Sequence, residues 1–369
     1  MLSTLPFLQQ AIEKRKQEKV LRQLPAAKNG IDFYSNDYLG FSTESGLTEI
    51  VVNEIIQQPD LLKGATGSRL ISGNSDRTMQ VESFLAHKHQ VQSALLFPSG
   101  YTANLAFFSS VPQRGDTILM DACIHRSVRD GARLSAAHKI KFRHNDMQHL
   151  EELLKRARGN CFIAVESIYS MDGDFAPLDA LTLIAKRYNA NLVVDEAHAF
   201  GIFGYGLVSQ KKLQHRVFAT MITYGKALGL HGAAILGTEL LISFLVNFSS
   251  AFIYTTGSSD LHAISIQKGY EFLKENPERI QDLQNNILLL RNSGLTFSSV
   301  SESPIQILRG ATISCVKNLQ QQLEKEGFLT FAALAPTVKK GEERLRICLH
   351  SYNSSDEINQ LSDLIKKHL

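Results

Sequence analysis

A chain of 369 residues exceeds what one hydrophobic core usually supports, so a large domain with a smaller companion is expected. Hydrophobic residues make up 44% and charged residues 20%, which excludes a disordered or fibrous chain and fits a globular one with ample core. The net charge of +3, from 39 basic and 36 acidic residues, is too small to point to nucleic acid or an anionic membrane surface. The densest basic stretch, Lys14, Arg15, Lys16, Lys19 and Arg22, is interleaved with Glu13 and Glu18 and reads as the wet face of a helix. Cys123, Cys161, Cys315 and Cys348 lie far apart, and three of them sit inside apolar runs. Buried, inert thiols are expected, with neither a disulfide framework nor a zinc site. The N-terminus lacks the basic-then-apolar pattern of a signal peptide, and no run approaches about 18 apolar residues, so a cytosolic protein is expected.

In chain order, residues 3–24 carry a helical pattern, with Ser3 or Thr4 as N-cap and Leu24-Pro25 as the stop. A short strand at 31–34 runs into Ser35-Asn36-Asp37-Tyr38-Leu39-Gly40, polar and aromatic by turns and expected to be a loop. Residues 63–73 are small, hold one arginine (Arg69) and read as another loop. A helix follows from Asp76 to about His89. Strands 92–97, 117–120, 139–142, 161–167 and 191–196 then alternate with helices 100–110, 125–135, 147–157 and 178–188. That rhythm predicts a mainly parallel central sheet with helices on both faces. Helices near 239–248, 260–275 and 277–293 close the large unit. Strand 305–309, helix 316–326, strand 344–349 and helix 355–367 predict a smaller C-terminal α/β domain. The expected division is an N-terminal helix and arm over 1–45, a large domain over 46–285 and the small domain over 286–369.

In a parallel sheet, ligands sit beyond the carboxyl ends of the strands, so the loops there are where chemistry is sought. One of them, Thr223-Tyr224-Gly225-Lys226-Ala227-Leu228-Gly229, holds a lysine between two apolar runs. Desolvation there lowers an ammonium pKa and makes the amine a nucleophile and base; a surface turn is the plainer alternative. Strand 191–196 ends at Asp195-Glu196-Ala197-His198, and a carboxylate at the end of a buried strand is costly unless it meets a cation or donor. Strand 92–97 ends at Ser99-Gly100-Tyr101, where a helix start offers free amides to an anion, or simple N-capping by Ser99. His125 stands at another helix start, and Ser170 lies in a polar loop after strand 161–167. Pyridoxal phosphate needs an amine, a carboxylate, a flat partner for its ring and donors around its phosphate, and Lys226, Asp195, His125 and the Ser99–Tyr101 turn supply them. A zinc site lacks ligand spacing, and no Gly-x-Gly-x-x-Gly follows the first strand, which disfavours a Rossmann nucleotide site.

Nine ordered motifs carry a resemblance: SNDYLG (35–40), GATGSRLISG (64–73), PSGYTAN (98–104), RHND (143–146), ESIYSMDGDFAPL (166–178), VVDEAHAFGIFG (193–204), TYGKALGLHGAA (223–234), FIYTT (252–256) and RLRICLH (344–350). On these the chain resembles the α-oxoamine synthases, fold-type I pyridoxal-phosphate-dependent transferases, over nearly its whole length. The resemblance implies that Lys226 joins the cofactor's aldehyde and moves the α-proton, while Asp195 partners the ring nitrogen and His125 stacks on the ring. It implies that His198 and Ser170 hold the phenolic oxygen, and that Gly100, Tyr101 and Thr223 bind the phosphate. Thr255 and Thr256, after Tyr254, are implied to reach the phosphate of a neighbouring subunit, hence a homodimer with shared sites. Asn36 and Arg346 would meet the amino-acid substrate, a guanidinium suiting two-pronged capture of its carboxylate. The 64–73 loop lies where the family admits the acyl thioester.

The motifs IYTT, HGAA and RHND are most similar to the branch that condenses L-alanine with a pimeloyl thioester, carried on coenzyme A or acyl carrier protein, in biotin synthesis. A glycine- and acetyl-using sister, or a silent scaffold homologue, are the alternatives. Thr78, Ser258, Ser259 and Lys339 depart from the common pattern without touching an implied cofactor ligand.

Overall fold

Strands that read as unbroken apolar runs stay out of water only when helices cover both faces of their sheet. The structure is a computed structural model that describes residues 5–18, 20–24, 26, 28–300, 302–310, 312–335 and 337–368. Its strands are β1 (Ile31–Asp32), β2 (Ser93–Phe97), β3 (Thr117–Asp121), β4 (His138–Phe142), β5 (Cys161–Glu166), β6 (Asn191–Asp195), β7 (Ala219–Thr223), β8 (Ala233–Gly237), β9 (Ile305–Arg309), β10 (Phe328–Leu329), β11 (Phe331–Ala333) and β12 (Arg344–Cys348). Seven of them form one sheet in the order β2-β8-β7-β6-β5-β3-β4. Successive residues face opposite layers, as the strand period requires. Ile118 and Phe162 pack with Phe107 on one face, while Leu119 and Ile163 pack with Leu150 and Leu181 on the other.

The pairings are parallel except those of β8, which runs antiparallel to both β2 and β7. Residues 224–232 join β7 to β8 without a helix, and a segment that short cannot cross over the sheet, so the chain must turn straight back. Lys226 rides on this return. Tyr224 N donates to Gly232 O at 3.0 Å, Leu230 N to Tyr224 O at 2.9 Å and Gly229 N to Lys226 O at 2.8 Å. Gly229 has a φ of +60°, and a Cβ there would collide with the backbone of Ser42, so only glycine closes the turn.

The C-terminal strands form a second sheet, β11-β12-β9, antiparallel throughout. Residues 31–41 strap it to the rest of the molecule. β1 pairs with β10, Cys348 N donates to Phe33 O at 2.8 Å, and Ser351 N donates to Tyr38 O at 2.8 Å. Phe33, Tyr38 and Leu39 share a core cluster with Ile305, Leu345 and Ile347.

Some expectations are corrected. The first helix is Pro6–Gln17, shorter than 3–24, and it buries no residue, so nothing packs against it to sustain further turns. Its expected caps Ser3 and Thr4, and Pro25, lie outside the described residues. Helix Ser45–Gln57 was not anticipated. Cys161 and Cys348 are buried, but Cys123 is half-buried and Cys315 is exposed, so the thiols are buried at two positions rather than three. No helix among the described residues is long and apolar enough to cross a membrane.

Candidate active site

Three strand ends converge. Glu166 closes β5 and stands in register with Asp195, which closes β6, and Asp195 in turn stands in register with Met221 of β7, five residues before Lys226. Burial pushes the Lys226 ammonium down to about 8, although Asp195 and Glu166 pull it the other way. Burial, with repulsion from Asp195, pushes the Glu166 carboxyl up to about 8. One carboxyl oxygen of Glu166 accepts from Ser170 N at 3.3 Å, and the other is buried without a partner. Asp195 is satisfied: Oδ1 accepts from Ala197 N at 2.9 Å and Oδ2 from Asn104 Nδ2 at 2.7 Å.

Asn104 sits one turn beyond Gly100 on helix Gly100–Ser110, where residues four apart share a face. Its Nδ2 also donates to Ser127 Oγ at 3.0 Å, and that hydroxyl lies 2.7 Å from Nδ1 of His125. A hydrogen-bonded line thus runs from the Asp195 carboxylate to the His125 imidazole. His125 caps helix Arg126–Leu134; the residue is exposed overall, but the Nδ1 edge of its ring is part-buried against Ser127. Burial and the Lys226 charge lower its pKa, outweighing Asp195.

At the start of helix Gly100–Ser110, Ser99 Oγ caps Thr102 N at 3.2 Å, and the first amides of the helix have no partner within it. A Cβ at Gly100 would collide with Thr223 Oγ1, so the glycine lets this turn close on the end of β7. The Tyr101 hydroxyl turns away to Asp130 at 2.8 Å, which leaves its backbone as the part facing the turn.

On the far side, His198 is buried, and its Nδ1 lies 2.7 Å from the Tyr38 hydroxyl. Burial, with Lys226, Arg346 and His125 as cationic neighbours, holds its pKa well below the usual imidazole value. Arg346 is buried on β12; Nε donates to Ser170 O at 2.8 Å and Nη2 to Asn36 Oδ1 at 2.8 Å. The structure therefore brings Lys226, Asp195, His125, His198, Gly100, Thr223, Ser170, Asn36 and Arg346 into one neighbourhood at the ends of β5, β6 and β7.

Thr255 and Thr256 stand apart. Thr256 bridges Ser68 of the 64–73 loop, and Gly257 N donates to Gly67 O at 2.9 Å. No hydrogen bond joins either threonine to Gly100, Thr223 or Lys226 among the described residues. Tyr38, Asn104, Ser127 and Glu166 were not singled out by the sequence reading. The spacing Gly100–Asn104 was the available signal for one of them; the others make contacts that no local spacing announces.

The sequence model of the family described as Aminotransferase class I and II matches residues 28–365. The chain belongs to that family. The aminotransferase class I and II chain is 36% identical to the 8-amino-7-oxononanoate synthase of Emericella nidulans, over 97% of its own length and 94% of the relative's. It is 37% identical to the synthase of that name from Chromobacterium violaceum, over 91% and 88%. A solved 8-amino-7-oxononanoate synthase from Francisella tularensis superposes with a TM-score of 0.79 at 28% identity, covering 92% of this chain and 97% of that one. A serine palmitoyltransferase from Sphingomonas wittichii gives 0.87 at 22%, over 98% and 96%, a likeness of fold.

The aminotransferase class I and II fold is one that works with pyridoxal phosphate, and the residues present fit that group. A lysine amine of lowered pKa, a carboxylate held at a strand end, a glycine-opened helix start beside a threonine hydroxyl and the His125 imidazole are the groups it requires. Buried Asn104 Oδ1 and Glu166 Oε1 have no hydrogen-bond partner, as befits a space lined for a polar guest.

Proposed function

We propose that the enzyme condenses L-alanine with a pimeloyl thioester, releasing carbon dioxide and the free thiol and giving 8-amino-7-oxononanoate for biotin synthesis. One observation carries the reading: likeness to synthases of that name runs through the whole fold at 36% identity, and every strand end at the site lies within it. Pyridoxal phosphate, when bound, supplies an aldehyde for an amine to join and an electron-poor ring that stabilises the charge left at the amino acid's Cα.

The protein's own groups do the rest. Lys226, its pKa lowered to about 8 by burial, has a fraction of free amine at neutral pH; it would be the residue that holds the cofactor's aldehyde carbon, and its Nζ would take up the α-proton of alanine. Asp195, kept in place by Asn104 and Ala197, would hold the proton on the ring nitrogen. His198 and Ser170 would meet the phenolic oxygen; Gly100, Tyr101 and Thr223 would meet the phosphate, and His125 would lie over the ring. Arg346 is anchored through Ser170, Asn36 and Tyr38, and its guanidinium would meet the alanine carboxylate.

The same proposal includes a cytosolic homodimer in which Thr255 and Thr256 serve the partner's site. It is supported by helix Pro6–Gln17, which buries nothing, and by Ile71 and Tyr254, 86% and 83% exposed. We keep the divisions 1–45, 46–285 and 286–369 as its domains.

The test is a panel of amino acids and acyl thioesters, scored for thiol release and, by mass spectrometry, for product. Alanine with pimeloyl-coenzyme A or pimeloyl-acyl carrier protein is expected to give 8-amino-7-oxononanoate. A preference for glycine with acetyl-coenzyme A, or no uptake of pyridoxal phosphate at all, would overturn the reading.

A further inference from the structure

Tyr38 is fully buried, and its hydroxyl has three polar neighbours: His198 Nδ1 at 2.7 Å, Asn36 Oδ1 at 3.1 Å and Arg346 Nη2 at 3.4 Å. A phenol has one proton to give and two lone pairs to receive. A guanidinium only donates, so Arg346 can meet the phenol solely at its oxygen. The same Nη2 donates at 2.8 Å to the side chain of Asn36, which settles that the Asn36 atom facing it is the carbonyl oxygen. The phenolic proton therefore has two possible destinations. Asn36 Oδ1 is the more distant and already accepts a charged donor, whereas His198 Nδ1 is close and has no other hydrogen-bonding neighbour among the described residues. The Arg346 cation beside the phenol makes its proton a stronger donor still.

We propose that Tyr38 is a positioning residue that fixes the tautomer of His198, keeping Nδ1 bare and the ring proton on Nε2. This rests on the reading that His198 faces the phenolic oxygen of pyridoxal phosphate. Under that reading Nε2–H is a ready donor to a negatively charged oxygen, whereas the opposite tautomer would set a lone pair against it. Tyr38 also links this choice to the Asn36–Arg346 pair, which would grip the amino acid. A neutral ring is what burial and the neighbouring Lys226 and Arg346 cations favour.

The deciding measurement is nitrogen-15 NMR of the histidine-labelled full chain before cofactor is added, with His198 assigned by its loss in His198→Gln. The expected spectrum shows Nε2 protonated and Nδ1 unprotonated in the wild-type protein. In Tyr38→Phe, which removes one oxygen and keeps the ring, the two signals are expected to move toward exchange between tautomers. Pyridoxal phosphate, titrated into the apo-protein, is then expected to bind that variant roughly tenfold more weakly. A wild-type spectrum with the proton on Nδ1 would overturn the proposal, as would a Tyr38→Phe spectrum identical to wild type. Because the spectrum needs no turnover, failure of the alanine–pimeloyl assay leaves this result standing, and the converse holds.

Discussion

Two clusters in this molecule place one basic side chain against two carboxylates at or beyond the carboxyl ends of parallel strands, and they behave in opposite ways. At the first, His144 sits between Asp121, the last residue of β3, and Asp174 in the loop after β5, at 2.7 and 2.6 Å. Asn145 completes it, its backbone N–H donating to Asp121 and its side chain to Asp174. Burial alone would lower the His144 pKa, but the two hydrogen-bonded carboxylates outweigh it and push it up to about 12. At the second, the Lys226 amine lies near Asp195 and Glu166 with no hydrogen bond or ion pair among the described residues, and burial carries its pKa down to about 8. A cation that closes its hydrogen bonds becomes structure. One that is left open beside charges it does not touch remains available for chemistry.

The sharpest way to break this contrast is to remove the open amine. Lys226→Ala is expected to lose covalent attachment of pyridoxal phosphate, read by mass spectrometry after borohydride reduction, and to lower turnover by roughly 10⁴-fold or more. Undiminished borohydride-fixed attachment in the variant, at some other amine, would take Lys226 out of the site. Asp195→Asn comes next. It should still take up the cofactor but slow α-proton exchange by about 5 kcal/mol of activation free energy, several thousandfold. Since Asp195 raises the Lys226 pKa, the midpoint for labelling Lys226 in the apo-protein is expected to fall below about 8 in this variant. An unchanged midpoint, or a near-wild-type exchange rate, would mean that the two groups are uncoupled.

Much of this arrangement was readable in the sequence, and what was missed has a physical reason. Leu192-Val193-Val194 before Asp195 announces a buried strand ending in a charge, and the parallel sheet then says where that charge must sit. The extent of the first helix was overread, because helical periodicity says nothing about whether a partner surface is present, and Pro6–Gln17 has none in this chain. Tyr38 and Asn104 lay inside motifs that were recognised, yet their roles were not legible. Their partners His198 and Asp195 are 160 and 91 residues away, and no local spacing encodes such a contact.

The closed cluster can be tested through its pH dependence. His144→Asn leaves Asp121, which has no solvent exposure in its side chain, and the partly exposed Asp174 without their cation. Urea denaturation near neutral pH is expected to show a loss of about 2–3 kcal/mol. The sign of the pH dependence follows from the raised pKa. The imidazolium's contribution is complete below the ordinary value of 6.5 and fades as pH climbs toward about 12, so wild type and variant should converge in alkali. A stability gap that widened between pH 7 and 10 would show that His144 is held neutral. The variant should also slow catalysis mildly, since Asp174 O accepts from Tyr169 N at 2.9 Å, next to Ser170.

The smallest effect is expected for Asn104→Ala, which removes a single side-chain amide from the open site. Its Nδ2 is the side-chain donor that steadies Asp195, and it reaches the Ser127 hydroxyl beside His125 as well. Asn104→Ala costs the helix nothing in propensity and leaves Asp195 its bond from Ala197. The loss should be about 1–2 kcal/mol, roughly tenfold in α-proton exchange. Asn104→Asp keeps the size of the side chain but sets a second carboxylate against Asp195, and like charges at that separation oppose each other strongly in a buried site. The aspartate variant should therefore be the worse of the two, with a Lys226 labelling midpoint above that of the alanine variant. If both variants exchange at the same rate, the Asn104 contact is packing rather than electrostatics, and the orientation of Asp195 must come from the strand alone.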